Sequence, residues 1–513
     1  MVSNQKNTEE SEYAIHLELL NDDPTGHDRD NQQYITPVFT APLRNQIEQY
    51  GLIAGQSSIL ANSENWKDPR LFYNIAAPFS SFICGSQGSG KSHTLSCLLE
   101  NCLANSSVSK VKKPLSALLF HYDAFIGDVK GSPCEAAYLA SNSDIKVRVL
   151  CPPTNVRAIR RTYGDIKGVK VQELCIDETD LTTQRMLSLM AVKTSEELPL
   201  YLHSITRILR VLRIAHQISG KPFHYGEFKK HLEDLRLTNG QQGPLTQRLD
   251  TLESFMPIEQ RKTMSPAPLK RGKGTDWSIK AGELTIVDLS CPCVTVEAAS
   301  SLFNMCLSLF LEEKSNIGKV VALDEAHKYM SNNTDDALTG NLLSTIRLQR
   351  HLGTRIFIST QEPTISPALI DLCSMTIVHR FSSPEWLKCL RSHVAALHNS
   401  GSNSQDDEST RRDVFKEIVT LRVGEALLFS PEAMIYKDCD RINSLPSDES
   451  VDTTTLTING ESSNGLSERG NRKAIERDND NDSQELRKLG TDYVKIKVRA
   501  RLTNDGGRSV LAA

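Results

Sequence analysis

The sequence predicts an α/β fold with a largely parallel central sheet. Three observations carry this. A short apolar run, Phe79–Cys84, leads into a glycine-rich loop and then into a helix-like stretch, His93–Glu100. Buried-strand patterns recur over Ser116–Tyr122, Glu283–Leu289, Gly318–Leu323 and Thr354–Thr360, with helical patterns between them. Two of these runs end in polar residues, Asp324-Glu325 and Gln361, which a parallel sheet brings to one edge.

The chain has 513 residues and a formal charge of −4, enough length for one large domain with appendages. Any nucleic-acid contact must then come from local basic patches, since the overall charge is slightly acidic. No apolar run approaches the roughly 20 residues that span a bilayer. Met1–Glu10 is polar and acidic, unlike a secretory signal. The expectation is a soluble intracellular protein without a membrane partner; nothing in the sequence separates cytoplasm from nucleus, Lys110–Lys113 being too weak a basic signal. The twelve cysteines are scattered, and the one close pair, Cys291-Pro-Cys293, has no second pair or histidine cluster beside it. They read as reduced core cysteines, with a metal site as the lesser alternative.

Taken in order, residues 1–77 form an amino-terminal region, loosely attached over 1–40, with a short docking helix expected over Pro42–Ala54. The main domain runs from 78 to 436. Ile145–Leu150 alternates as a half-exposed strand and stops at Cys151-Pro-Pro. Between 179 and 262 apolar residues recur at three- and four-residue spacing, as in Leu202, Ile205, Leu209 and Leu212, which predicts an inserted helical subdomain broken at Asn239-Gly and Gly243-Pro. Met264–Asp276 is a basic loop, read as a solvated turn, with a nucleic-acid contact as the minority reading. A helix over Ala298–Glu313 follows, then another that carries Leu338, Leu342, Leu343 and Ile346 on one face, bears Arg347 and Arg350, and ends at Gly353. Met375–His379 and Glu425–Phe429 add strands. The Ser/Asn/Asp loop 397–410 and the polar tract 437–490 read as disordered. Tyr493–Leu502, within a final segment 491–513, alternates strictly and is expected as a basic edge strand.

The glycine-rich loop is Gly85-Ser86-Gln87-Gly88-Ser89-Gly90-Lys91-Ser92, followed by His93. It fits the P-loop pattern without a mismatch. Glycines let the backbone wrap so that consecutive N–H groups point at an anion, and the helix that follows adds the positive end of its dipole. Lys91 would reach the β- and γ-phosphates, and the Ser92 hydroxyl would bind Mg²⁺. ATP and Mg²⁺ are the expected cofactors. Hydrolysis needs more: a carboxylate for the cation, a group that activates water and charge stabilisation at the γ-phosphate. Asp324 is the expected Mg²⁺ ligand and Glu325 the base, although adjacent acids at a strand end can also cap the next helix. Gln361 would hydrogen-bond the water or the γ-phosphate. Arg350, near a helix end, is either solvated or a finger that reaches a phosphate.

The runs Asp324-Glu-Ala-His, Arg350-His-Leu-Gly, Ile358-Ser-Thr-Gln-Glu-Pro, Ile365-Ser-Pro-Ala-Leu-Ile and His379-Arg380 together resemble the HerA branch of the FtsK–HerA ATPases. Glu283–Ser290 is similar to that family's extra strand and Glu425-Ala-Leu-Leu to its late Gly-Glu-Ala-Leu strand. The similarity covers roughly 78–436, with 179–262 in the place of the family's helical insertion. It implies a RecA-like fold and a hexameric ring that pumps double-stranded DNA, and it admits a nuclease partner. By the same resemblance Lys91, Ser92, Asp324, Glu325 and Gln361 keep the roles given above, and Arg350 is donated to a neighbour's ATP. The chain departs from the family in having no evident β-barrel in 1–77, in carrying His121-Tyr-Asp-Ala-Phe where an acidic Gly-Glu motif is expected, and in placing Glu362 where arginine is usual.

Two other readings compete. Asp324-Glu-Ala-His is also the string of superfamily 2 helicases, but no arginine-rich motif follows and the P-loop lies too far away in the chain. An ATP-switched scaffold or regulatory ATPase that pumps nothing is the alternative from a different class.

Overall fold

The computed structural model describes residues 36–61, 67–124, 126–127, 129–190, 200–220, 223–235, 237–261, 274–330, 336–394, 397, 414–436 and 486–506. Most of the tracts expected to be solvated or disordered (1–35, the basic loop up to 273, the loop beyond 397, and 437–485) lie outside the described residues.

Among the described residues a single sheet of sixteen strands runs through the molecule. The first eight are β1 (Val38–Thr40), β2 (Tyr50–Gln56), β3 (Arg70–Asn74), β4 (Ser81–Cys84), β5 (Ser109–Lys110), β6 (Ser116–His121), β7 (Lys146–Cys151) and β8 (Val169–Glu173). The rest are β9 (Glu283–Asp288), β10 (Lys319–Leu323), β11 (Thr354–Thr360), β12 (Met375–Val378), β13 (Glu425–Phe429), β14 (Met434–Tyr436), β15 (Leu486–Lys488) and β16 (Val494–Val498). One half, ordered β12-β4-β11-β10-β6-β9-β7-β8, is parallel throughout. In the other half β13, β16, β2, β3 and β1 pair antiparallel in turn, with β14 and β15 beyond.

The parallel strands read as unbroken apolar runs because both faces are covered. Alternation along β6 shows it. Leu118 and Phe120 enter a core shared with Tyr201 and Phe228 of the helical segment. Leu119, between them, packs on the opposite face with Leu95, Leu98 and Leu99 of helix α1 (Lys91–Leu103). The helical segment comprises α2 (Thr183–Met190), α3 (Leu200–Ser219), α4 (Tyr225–Glu233) and α5 (Asn239–Ser254). Beyond it come α6 (Val296–Glu312), α7 (Ala337–Arg347) and the single turn α8 (Gln349–Leu352), which Gly353 ends in a left-handed conformation with φ 59°.

The structure departs from the sequence reading at several points. Pro42–Ala54 is not one helix: a short 3₁₀ turn over Ala41–Asn45 precedes β2, whose Ile53 and Ala54 are buried. Val38–Thr40, expected as loose chain, is a buried strand. Asn239-Gly and Gly243-Pro do not break the helical segment. Thr238 and Gln241 cap each other's backbone at the start of α5, and the helix runs through Pro244 at the cost of one hydrogen bond. Leu486–Lys488, at the end of the tract read as disordered, is a strand. Finally, β16 is not an edge strand: it pairs β13 on one side and β2 on the other, burying Val494, Ile496 and Val498. Its lysines alternate outward, and Lys495 Nζ lies 3.5 Å from Glu425.

Candidate active site

Strand register assembles the site. Thr360 lies opposite Cys84, Leu323 opposite Ile358, and Leu323 also opposite Phe120. The residues that follow these strand ends therefore emerge at one edge, on neighbouring strands about 4.8 Å apart. They are Gly85, Gln361, Asp324-Glu325 and His121.

Gly85, Gly88 and Gly90 take φ values of 152°, 71° and 112°. A Cβ on Gly85 would stand 2.7 Å from that of His379, so the first position tolerates no side chain. Ser86 donates through both its N–H and its hydroxyl to the Arg380 carbonyl, each at 2.8 Å, and the Ser89 hydroxyl donates to Ser86 O at 2.7 Å. Gln87 and Gly88 are exposed at the loop's crest. The first intrahelical bond of α1 runs from Thr94 N–H to Gly90 O at 3.0 Å. The N–H groups of Lys91, Ser92 and His93 thus have no intrahelical acceptor and suit an anion. The His93 ring itself turns away, with Nε2 2.8 Å from the Arg499 carbonyl.

Lys91 is buried, and its ammonium donates to Ser86 O at 3.1 Å and stands 4.0 Å from Glu325 Oε1. Burial lowers its pKa, opposed by Glu325 and Asp324. The Ser92 hydroxyl donates to Asp324 Oδ1 at 3.4 Å. Two hard oxygen donors on one side of a glycine cradle fit Mg²⁺ and a polyphosphate. Burial resists ionisation of Asp324, but His121 beside it, with Lys91 and Lys328, holds the carboxyl below its ordinary value.

Glu325 has φ 49° and ψ 49°, and among the described residues it alone combines a side chain with a positive φ. It precedes a 3₁₀ turn over Ala326–Lys328 but makes no side-chain cap, so it is not there to end-stop that turn. Such backbone costs on the order of 1–3 kcal/mol and is found where a site needs it. His327 lies between Glu325 and Gln361: its Nδ1 is 3.3 Å from Glu325 Oε2 and 3.5 Å from the Gln361 backbone nitrogen. That one nitrogen can donate to the carboxylate or accept from the amide, not both, so the two groups share a single contact. Burial lowers the pKa of His327 against the pull of Glu325 and Glu362.

The structure thus brings together Lys91, Ser92, Asp324, Glu325 and Gln361. It places Arg350 elsewhere. Arg350 is exposed on α8, just before the amino end of β11, whereas Gln361 follows its carboxyl end. The seven residues of the strand put the two about 20 Å apart.

Sequence reasoning missed three histidines and a cysteine. His327 appeared only as a letter in a motif. His379, fully buried, lies behind the P-loop with Nε2 2.9 Å from Thr94 Oγ1 and Nδ1 3.0 Å from Glu425 O; burial pulls its pKa down to about 4, so the neutral ring donates through Nδ1 to that carbonyl. His121 Nδ1 is 3.3 Å from Asp324 Oδ2. Burial disfavours a charged ring there, yet the Cys134 sulfur and the Asp324 carboxylate together raise its pKa above the ordinary value. Cys134 Sγ is 3.9 Å from the same Asp324 oxygen, and burial pushes its thiol up to about 11. No local spacing signals these contacts, which depend on which strands are neighbours.

A parallel sheet with this loop at its carboxyl edge is the fold of the RecA-like P-loop nucleoside triphosphatases. No protein-family model matches the sequence, and no curated protein matches it either. Among solved structures, VirB4 of Thermoanaerobacter pseudethanolicus is similar at 13% identity, covering 74% of this chain and 94% of that one with a TM-score of 0.42. The bacterial conjugative coupling protein TrwB is similar at 12% identity, over 74% and 91%, with a TM-score of 0.41. The genome packaging NTPase B204 of Sulfolobus turreted icosahedral virus 2, in complex with sulfate, is similar at 14% identity and a TM-score of 0.22. That match covers 29% of this chain and 61% of the packaging NTPase, under two thirds of its length. The likeness is one of fold. No described helix is long and apolar enough to cross a membrane.

Proposed function

We propose that the chain is an ATP-hydrolysing motor of the HerA type that acts on double-stranded DNA as a ring. The observation that carries the hydrolytic part is the convergence of Lys91 and Ser92 with Asp324, Glu325 and Gln361 at one sheet edge. Mg²⁺-ATP supplies the γ-phosphoryl group that is transferred to water. Within the chain, the P-loop amides and Lys91 hold the phosphates, Ser92 and Asp324 offer oxygens to the cation, and Glu325 takes the water's proton. Gln361 orients that water, and its shared contact with His327 links the base to the next strand.

The ring rests on Arg350. An exposed arginine about 20 Å from Gln361 of its own site suits a phosphate on a neighbouring subunit. Arg350→Ala and Lys91→Ala proteins are each expected to be inactive and to recover partial ATPase activity when mixed, because some interfaces then pair an intact P-loop with an intact arginine. No recovery at any mixing ratio argues against an arginine acting between subunits.

The DNA part rests on the motif resemblance, and one assay tests it: ATP turnover with and without duplex DNA, alongside a mass measurement of the assembly. Turnover should rise with DNA, and the affinity should fall steeply with salt as bound counterions are released. Equal turnover in both conditions rejects the motor and leaves the ATP-switched scaffold.

A further inference from the structure

Behind the hydrolytic acid lies a second group of potential ligands that the ATPase reading leaves unused. His121 ends β6, Asp324 follows β10, and Cys134 precedes a 3₁₀ turn over Glu135–Ser141. The strands are adjacent, with Asp324 N–H donating to Phe120 O at 3.1 Å, which sets His121 and Asp324 side by side. All three side chains are more than nine-tenths buried. One ligand atom from each lies within 4.8 Å of the others. Both His121 ring nitrogens are buried without a hydrogen bond among the described residues.

We infer that His121 Nδ1, Cys134 Sγ and Asp324 Oδ2 form a site for a zinc-class divalent cation, distinct from the Mg²⁺ position. The spacing suits it. Tetrahedral bonds of about 2.0–2.3 Å place donor atoms roughly 3.3–3.6 Å apart. Here the histidine and aspartate atoms are 3.3 Å apart and the sulfur and aspartate atoms 3.9 Å, and all three ligand atoms lie within 4.8 Å of one another, so closure by no more than about an ångström completes the geometry. The charges suit it as well: a thiolate and a carboxylate neutralise a dication, and binding displaces the thiol proton. A sulfur and an imidazole favour zinc-like ions over Mg²⁺, which prefers oxygen and retains its waters. Three protein ligands leave a fourth position open.

Supporting contacts are also in place. The Cys134 N–H donates at 3.0 Å to the Tyr163 hydroxyl, which in turn donates to Asp288 at 2.7 Å. Outer contacts of this kind hold metal ligands in orientation. Asp324 thereby faces two ways, with Oδ1 toward Ser92 and Oδ2 toward this cluster. The inference is independent of hydrolysis, because cation binding is read without nucleotide.

The test titrates chelator-stripped full-length protein with Co²⁺ and follows absorption. One cobalt per chain is expected, with the visible bands of a four-coordinate ion and a thiolate-to-cobalt charge-transfer band. Zn²⁺ should displace it, and excess Mg²⁺ should not. The charge-transfer band should vanish in Cys134→Ser and in His121→Gln and persist in Cys293→Ser, with the far-ultraviolet circular dichroism and cooperative thermal unfolding of each variant showing that it is folded. If Cys134→Ser does not fold, X-ray absorption of the Zn²⁺-loaded parent protein decides: one sulfur at about 2.3 Å supports the site, and a shell of only nitrogen and oxygen overturns it. Absence of the charge-transfer band from the parent, or its survival in Cys134→Ser, equally overturns it.

Discussion

Glu325→Gln should bind ATP as the parent chain does and hydrolyse it about 10²–10⁴-fold more slowly, the usual contribution of a positioned general base. The substitution keeps the shape and removes the proton acceptor. Lys91, 4.0 Å from Glu325, remains to hold the phosphates, so binding and turnover should separate. Single-turnover hydrolysis beside fluorescent-nucleotide binding reads both quantities. Unchanged turnover would remove Glu325 from the role of base and leave its left-handed backbone without a purpose.

The second large effect is on stability. Arg499→Ala should cost about 3–5 kcal/mol, the typical result of removing one partner from a buried ion pair. Arg499 fastens the segment after β16 to the P-loop helix. It donates to Glu100 and to Leu52 O at 2.8 Å, to Asn101 at 3.0 Å and to Cys97 O at 3.1 Å. Glu100 is itself buried and also accepts from the N–H and hydroxyl of Thr503. Burial opposes its ionisation, but Thr503 and Arg499 hold its pKa below the ordinary 4.5. A depressed carboxylate contributes stability in full above the unfolded value and loses it as pH falls through the folded one. The cost of Arg499→Ala should accordingly shrink below about pH 4.5. Denaturant midpoints across pH check both statements, and a loss under 1 kcal/mol at neutral pH would show the pair to be dispensable.

How much of this was legible in the sequence depended on how local each signal is. The P-loop and Asp324-Glu325 could be read because a contiguous pattern encodes each, and Gln361 because it ends an unmistakable apolar run. Val38–Thr40 and Arg70–Asn74 escaped because three- to five-residue strands carry too few residues for a period to show. In Tyr493–Leu502 the alternation is plain, but the outward lysines suggest an edge; the neighbours on both sides come from distant parts of the chain. Gly243-Pro244 reads as a break by propensity alone, which does not register the capping pair of Thr238 and Gln241. His121, Cys134 and Asp324 meet only because β6 and β10 are adjacent and the segment after β6 folds back beneath them, which no spacing rule anticipates.

The position of β16 also bears on the order in which the protein is built. Ile496 pairs with Gln56 and Ala426, so among the described residues β2 and β13 are joined through a strand that leaves the ribosome after the long tract 437–485. Until then the emerging chain carries two uncovered strand edges and a P-loop helix whose Glu100 has no cation to meet. Contacts so distant in sequence form late and slowly. A nascent chain stalled before β16 should expose open sheet edges to chaperones, with its nucleotide loop tethered to a helix that has yet to be clamped.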